Sequence, residues 1–304
     1  MLLVPGIHSM GISEPRLTAL ARDLAGSGTA VMALALPDLM GYQVTARSAD
    51  VIEDAVGWMA AQPGVAPDGR VGMVGISFAG GLSIVAAGRP SIRDKVAFVL
   101  SFGGHGDLGR VLKYLATGEA VQVPGLVTHP PHDYGVAVMT YAGADRLVPN
   151  DQVAGLRDGV GTFLLASQLT LISTEKANAT FQQARDIAKT LPEPSATYLT
   201  YVNDRNVKAL GPLLVPHIGL EADPAASPER APDVPHAKVF LLHGNDDIVI
   251  PAPESVVLAD YLRRHGADVR LLLSGIITHA ELDRTAAVSD TWKLISFWAD
   301  VLER

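Results

Sequence analysis

Short apolar runs alternate with helix-length amphipathic segments over the first third of the chain. The runs have the length of buried strands and end in turns that contain glycine or proline; they cover residues 2–4, 30–36, 71–74 and 96–100. Between them, segments such as 15–25 repeat apolar residues three and four positions apart, which is typical of a helix that buries one face. This alternation predicts a doubly wound, mostly parallel sheet of the α/β class.

The alternation stops in the middle of the chain. Helix-like segments run from residue 136 to residue 214, between a loop rich in proline, histidine and glycine at 124–134 and a proline-rich stretch at 224–235. No strand–helix repeat is visible in this region. We therefore expect a mainly helical insertion over residues 105–236.

The sheet pattern resumes after the insertion, with a strand at 238–242, a helix at 253–264 and a final strand at 268–273. Residues 1–104 and 237–304 are therefore expected to form one α/β core. The insertion is expected to act as a cap on that core.

The last predicted helix carries apolar residues at alternating spacings of four and three. The set consists of Val288, Trp292, Ile295, Ala299 and Leu302. Such a stripe predicts the helix face that packs against the sheet.

Composition narrows the class of protein. With 48% hydrophobic and 18% charged residues over 304 positions, the chain is typical of a globular protein that buries a sizeable core. A net charge of -8 and the lack of any Lys/Arg cluster argue against a nucleic-acid partner. No apolar run approaches the roughly 18 residues of a membrane span.

Cysteine is absent, which excludes disulfides, a thiolate nucleophile and cysteine-ligated metal sites. The N-terminal residues 1–8 have no basic region, and their apolar segment is too short for a signal peptide. Cytoplasmic localisation is therefore the default expectation.

A tight, glycine-rich turn joins the third predicted strand to a helix. Its sequence at 75–79, GISFA, matches the G-x-S-x-G pattern except that Ala79 stands at the second glycine. In such a turn the serine adopts a strained backbone conformation that holds its hydroxyl out of the sheet, near the free N–H groups of the next helix. The context predicts a nucleophile elbow with Ser77 at its tip; an incidental serine in a glycine-rich turn is the alternative.

A serine hydroxyl needs a base to take its proton, and the base needs a carboxylate that orients it. Asp247 lies in the loop after the strand at 238–242, and His279 lies in the loop after the strand at 268–273. Taken singly, Asp247 suits an ordinary turn and His279 a surface loop. Their placement after successive strands, in the order Ser77, Asp247, His279, favours a hydrolase site.

On these motifs the chain resembles the α/β-hydrolase superfamily, near the bacterial esterases and the dienelactone-hydrolase-like proteins. Residues 243–251 match the family's acid motif H-G-x-x-D-x-x-x-P, which makes Asp247 the acid, and His279 matches the family's histidine. The family's oxyanion hole uses backbone N–H groups of the residue after the nucleophile and of a loop after an early strand. The matching positions are Phe78 and Ile7.

The resemblance covers the core but not the insertion, and it has three departures. Dienelactone hydrolases use a cysteine nucleophile and lack a large cap, so their substrate does not carry over. Ala79 replaces a glycine. The chain also begins on what the family would count as its third strand, so the family's first two strands are expected to be missing. One explanation is a truncated start, in which case the expected cytoplasmic localisation no longer follows. The other is that the cap or a partner copy covers the sheet edge.

The resemblance implies a serine hydrolase, and the expected function is that of a carboxylesterase on small or medium acyl esters. No metal or organic cofactor is required. Non-catalytic ligand binding on the same fold is one alternative. A nucleotide-dependent oxidoreductase is another, because residues 104–109, GHGDLG, form a G-x-G-x-x-G between a strand and a helix; these glycines also suit a chain that leaves the sheet.

Two histidine-containing loops are weaker candidates. His8 follows the expected oxyanion loop, where a substrate contact and a structural hydrogen bond are equally compatible with the sequence. Residues 129–133, HPPHD, contain metal-ligand types, but the prolines between them favour a solvated loop over a metal site.

Overall fold

The computed structural model describes residues 1–278, 281–282 and 288–303. In this part of the chain a parallel sheet of six strands has the order β2-β1-β3-β4-β5-β6. The strands are β1 (Leu2–Val4), β2 (Met32–Ala33), β3 (Val71–Ile76), β4 (Val96–Phe102), β5 (Lys238–Gly244) and β6 (Val269–Ser274). A separate antiparallel pair consists of β7 (Ile277–Thr278) and β8 (Glu281–Leu282). The strand order reverses direction once, at β1, which confirms the predicted doubly wound parallel sheet.

Helices follow the strands and fill the insertion. Those outside the insertion are α1 (Pro15–Gly26), α2 (Pro37–Met40), α3 (Ala46–Ala60), α4 (Phe78–Gly88), α13 (Pro253–Arg264) and α14 (Val288–Leu302). Those between β4 and β5 are α5 (Leu108–Thr117), α6 (Tyr134–Ala142), α7 (Ala144–Leu147), α8 (Asn150–Leu169), α9 (Thr174–Ala188), α10 (Ser195–Asn203), α11 (Val207–Leu214) and α12 (Ile218–Glu221). Every helix in the described ranges is too short or too polar to cross a bilayer.

The chain divides into two compact units. One comprises Met1–Val111, Ala120–His129 and Ala222–Arg304 and contains the sheet; the other comprises Leu112–Glu119 and Pro130–Glu221 and is built from helices. The sheet unit thus includes both ends of the insertion. That the helical unit acts as a cap stays a prediction.

Aromatic rings fill the centre of the sheet unit. Phe240 packs edge-on against Phe98 at 6.0 Å and against Phe297 at 5.5 Å between ring centroids. The other buried members of this cluster are Leu3, Leu17, Val74, Leu100, Leu242, Ile277 and Val301. Because the strands are almost wholly apolar, both faces of the sheet can be covered by helices.

Helix α14 turns a different face to the sheet from the one that its apolar spacing predicts. Trp292 is 64% exposed and Ile295 is 50% exposed, whereas Phe297 and Val301 are fully buried. The prediction was wrong because the helix has a second apolar stripe, and that stripe is the buried one. It contains Phe297 and Val301, four positions apart. The Phe297 ring fits against Phe240, and this contact decides which stripe is buried.

Strand β2 is shorter than the apolar run at 30–36. It pairs only with β1 among the described residues, through Leu2 and Leu3. Because β1 has only three residues, it can form few backbone hydrogen bonds with β2, which keeps β2 short. What covers the edge formed by β2 stays a prediction.

His105 lies fully buried just before the helix that opens the insertion. Its Nε2 donates to the carbonyl oxygen of Ala226, 2.9 Å away, and its Nδ1 has no partner among the described residues. Burial lowers the pKa of His105 to about 4, because an imidazolium would lose its hydration there.

We expect His105 to make the protein less stable as the pH falls from about 6.5 toward 4. The unfolded chain binds the proton near the ordinary value, whereas the folded chain binds it only near the lowered one. The free energy of unfolding therefore falls in this interval, by roughly 3 kcal/mol at most. In His105→Gln, urea denaturation should show a smaller difference in unfolding free energy between pH 7.5 and pH 4.5.

The exposed His236 provides the matched control. His236→Gln should keep the wild-type difference between the two pH values, because its imidazole is already largely hydrated. An unchanged difference in His105→Gln would contradict the assignment.

Candidate active site

Ser77 occupies the turn between β3 and α4 in a strained conformation. Its backbone has φ 55° and ψ -133°, a left-handed region that a residue with a Cβ rarely adopts. The Ser77 N–H donates to the carbonyl oxygen of Phe102 at 2.7 Å. The Ser77 hydroxyl has no hydrogen-bond partner in the described part of the chain. This is the strained conformation that a nucleophile elbow requires.

Glycines allow α4 to approach the sheet at this turn. A Cβ added at Gly75 would overlap the Ala79 carbonyl group and the Ser83 hydroxyl. A Cβ at Gly80 would overlap the Ser101 hydroxyl. The close contacts thus fall at positions 75 and 80, while Ala79 is itself fully buried without displacing the helix. The missing second glycine of the motif therefore does not disrupt the elbow.

The loop after β1 lies directly against Ser77. A Cβ added at Gly6 would lie 3.0 Å from the Ser77 Cβ and 3.7 Å from its Oγ. The N–H groups of Ile7 and Phe78 have no acceptor among the residues that the structure describes. Two unpaired donors on the two segments that flank a serine hydroxyl are what an oxyanion hole needs.

Asp247 is the buried member of the acidic pair that follows β5. Its Oδ1 accepts the N–H groups of Val249 at 2.8 Å and Ile250 at 3.0 Å. Asp247 is 4% exposed, whereas the side chain of Asp246 is 66% exposed. Two backbone donors hold one oxygen of the Asp247 carboxylate, and its other oxygen has contacts of its own.

The loop after β4 lies between the serine and the carboxylate. Phe102, at the end of β4, accepts the Ser77 N–H, and the next residue, Gly103, donates to the Leu242 carbonyl at 2.8 Å. Gly103 has φ +61°, and a Cβ there would lie 3.4 Å from Asp247 Oδ2. The structure therefore brings the loops of Ser77 and Asp247 to the same edge of the sheet, joined by the loop between them.

Several solved structures are similar to this chain at low sequence identity. Est1E from Butyrivibrio proteoclasticus is 14% identical, with a TM-score of 0.47 over 100% of this chain and 88% of that one. The meta-cleavage product hydrolase CumD from Pseudomonas fluorescens IP01 is 17% identical, with a TM-score of 0.45 over 99% and 89%. Alpha/beta hydrolase domain-containing protein 10 from mouse is 13% identical, with a TM-score of 0.44 over 99% and 88%.

The strand order and the strained serine after β3 are the arrangement that the resemblance to the α/β hydrolases predicts. No family model matches the chain, and no curated protein matches it. The dienelactone-hydrolase-like branch therefore stays a prediction.

The expected base is not among the residues whose placement the structure gives. His279 lies outside the described ranges, so its role stays a prediction. His8 lies half-buried beside the oxyanion loop, and its Nδ1 accepts the Met10 N–H at 3.2 Å. Burial lowers the pKa of His8, against the opposing charge of Glu14. A structural hydrogen bond is thus present, and the substrate contact stays a prediction.

The G-x-G-x-x-G loop holds a carboxylate of the chain itself. Glu254 Oε2 accepts the N–H groups of Gly106 at 3.1 Å and Asp107 at 3.3 Å. In a dinucleotide loop such amides would bind the pyrophosphate. The loop therefore gives no support to the oxidoreductase alternative.

Several ion pairs near the two ends of the insertion could not be predicted from the sequence. Arg110 donates to Glu229 and Glu254, and Arg230 donates to Asp107 at 2.6 Å. Their partners lie more than a hundred positions away along the chain, as in the pair Arg110–Glu254 with a separation of 144. No local spacing signals such pairs.

The HPPHD segment forms polar contacts at both ends, and at the second end Asp133 Oδ2 accepts from Arg205 at 2.7 Å. His129 Nε2 lies 3.2 Å from Asp246 Oδ1. No group of three or more potential metal ligands occurs within the described ranges.

We expect Gly6→Ala to lower the reactivity of the Ser77 hydroxyl while the fold is kept. The added Cβ would lie 3.0 Å from Ser77 Cβ and 3.1 Å from the Ile76 carbonyl oxygen, so the turn must shift by tenths of an ångström. Such a shift misaligns hydroxyl and oxyanion donors, and we expect a roughly tenfold or greater loss in the rate of labelling by a fluorophosphonate.

Gly57→Ala is the matched control. Gly57 lies within α3, and a Cβ there has no neighbour within 4 Å. We expect unchanged labelling and a gain of about 0.5–1 kcal/mol in unfolding free energy. Equal labelling rates in Gly6→Ala and wild type would contradict the contact between the two loops.

Proposed function

We propose that the chain is a serine hydrolase, and specifically a carboxylesterase acting on small or medium acyl esters. The observation that carries this proposal is the strained backbone of Ser77 in the turn between β3 and α4. The N–H groups of Ile7 and Phe78 on the flanking segments, which have no acceptor among the described residues, add support. A serine that only closed a turn would not need a strained backbone beside unpaired donors.

In the proposed reaction, the Ser77 oxygen attacks the ester carbonyl carbon while His279 takes the hydroxyl proton. The carbonyl oxygen becomes an oxyanion, which the N–H groups of Ile7 and Phe78 stabilise. Asp247 orients the imidazole and stabilises its charged form. Each oxyanion donor contributes about 3–4 kcal/mol to the stabilisation of the transition state.

The intermediate collapses when the C–O bond to the alcohol breaks and His279 returns its proton to the departing alkoxide. Ser77 then carries the acyl group as an ester. Water repeats the sequence: His279 takes its proton, the oxygen attacks the acyl carbon, and the Ser77 oxygen leaves with that proton. The products are an acid and an alcohol, and no step needs a metal or an organic cofactor.

The ester class and acyl length are the finer part of the proposal. Thioester, lactone and amide substrates would use the same nucleophile and the same oxyanion donors. Small or medium acyl groups are proposed because the helical insertion is expected to cap the site, bounding the acyl pocket and excluding water.

A fluorophosphonate probe tests the nucleophile. The Ser77 oxygen should displace fluoride from phosphorus, so that mass spectrometry finds the added group on the peptide that contains Ser77. Ser77→Ala should abolish labelling. Ser83→Ala removes a buried hydroxyl that has no partner in the described part of the chain, and it should leave labelling intact.

A panel of p-nitrophenyl esters of increasing acyl length tests the substrate class. We expect kcat/KM to be highest for small or medium acyl groups. A folded wild-type protein that the probe does not label would overturn the hydrolase and favour non-catalytic binding. A labelled protein that cleaves thioesters or amides but no ester would overturn only the ester class.

The acidic pair after β5 allows a matched test of the acid. Asp247→Asn keeps an oxygen for the Val249 and Ile250 N–H groups but removes the charge that stabilises an imidazolium. We expect kcat/KM to fall by about 10³–10⁴-fold. The exposed neighbour serves as control: Asp246→Asn should stay within about twofold of wild type, since the Asp246 side chain is largely exposed and an amide keeps an oxygen for the contact to His129. Equal losses in both variants would contradict the assignment of Asp247.

A further inference from the structure

His243 is a fully buried imidazole at the end of β5, and the proposed reaction does not use it. Its Nε2 lies 2.8 Å from the Ile250 carbonyl oxygen and 3.4 Å from Asp247 Oδ2. Its Nδ1 lies 2.6 Å from the Ser255 hydroxyl, at the start of α13. One ring thus contacts the strand's own loop, the carboxylate in that loop and the helix that follows.

The partners of His243 fix its tautomer. A carbonyl oxygen and a carboxylate oxygen can only accept, so Nε2 carries the hydrogen. In the neutral ring, Nδ1 then accepts the hydroxyl hydrogen of Ser255. The hydrogen bond of Nε2 goes to Ile250, and its positive end also faces Asp247 Oδ2 at a distance that makes the contact electrostatic.

The ring and the backbone act on opposite oxygens of the same carboxylate. Val249 and Ile250 donate to Oδ1, whereas the His243 Nε2–H faces Oδ2, and a Cβ added at Gly103 would lie 3.4 Å from Oδ2. Ile250 takes part in both sets of contacts, because its carbonyl oxygen accepts from His243 and its N–H donates to Asp247 Oδ1. Rotation of the carboxylate would therefore disturb both sets of contacts in a buried, low-dielectric setting.

We propose that His243 is a positioning residue that holds the Asp247 carboxylate in the orientation in which it serves the general base. This role rests on the proposed function. A purely structural imidazole would need only the contacts to Ile250 and Ser255. The placement of the Nε2–H beside Oδ2 adds an electrostatic effect on the carboxylate that a structural link does not require.

Two substitutions separate the two nitrogens of the ring. The amide of His243→Asn reaches about as far as Nδ1, so it can meet Ser255 but leaves the Nε2 position empty. The longer amide of His243→Gln reaches the Nε2 position and can donate to Ile250. We expect His243→Asn to lower kcat/KM about tenfold, mainly in kcat, and His243→Gln to recover most of that loss.

The pH profile of kcat/KM distinguishes positioning from mere structure. When Asp247 is no longer held in that orientation, its carboxylate stabilises the protonated form of the general base less, so the base loses its proton at lower pH. The acidic limb of the profile should therefore move to lower pH in His243→Asn and stay near the wild-type position in His243→Gln. The exposed His236→Asn should change neither rate nor limb.

These experiments separate a failure of the role proposed for His243 from a failure of the proposed function. A wild-type protein without probe labelling and without hydrolysis would overturn the proposed function and this role with it. An active wild type whose His243→Asn variant keeps the acidic limb would overturn the role alone. If His243→Asn does not fold, as shown by the loss of its cooperative thermal transition, His243→Gln decides: a limb displaced from the wild-type position despite its donor at Nε2 would overturn the role.

Discussion

The close approach of α4 to the sheet is the constraint on which the site depends. All residues of this helix are buried, and added Cβ atoms at Gly75 and Gly80 would overlap neighbouring atoms. With so little space, the chain must reverse within one residue, which explains the left-handed φ of Ser77. Strain of this kind costs roughly 1–3 kcal/mol and persists because burial of the helix offsets it. The position of the Ser77 hydroxyl is thus a consequence of packing.

Strand β4 sets the spacing between the serine and the carboxylate. It lies between β3 and β5, so the loops that carry Ser77 and Asp247 are two strands apart, or about 10 Å. The loop after β4 fills part of this gap through Phe102 and Gly103, which contact the two sides. An imidazole between hydroxyl and carboxylate spans a distance of this order, so the sheet geometry itself fits a three-residue arrangement.

Sequence patterns could predict the features that depend on neighbours along the chain. The tight turn at Ser77 and the placement of Asp247 in the loop after β5 follow from motifs a few residues long. The face of α14 could not be predicted, because two apolar stripes share the helix and a contact between Phe297 and Phe240 chooses one. The partners of Glu254 were equally hidden, since no short motif encodes pairs separated by 144 positions.

The ion pairs of Arg110 and Glu254 explain how a long insertion can leave the sheet without disturbing the site. Arg110, near the start of the insertion, binds Glu254 on α13 and Glu229 near its end, and these carboxylates raise the pKa of the Arg110 guanidinium further. Of these three side chains Glu254 is the buried one, and removal of Arg110 would leave its carboxylate without a cationic partner, at a cost of about 3–5 kcal/mol. Because α13 follows the loop that carries Asp247, this network links the two ends of the insertion to that loop. The contacts described for Ser77 and Asp247 all lie within the sheet unit.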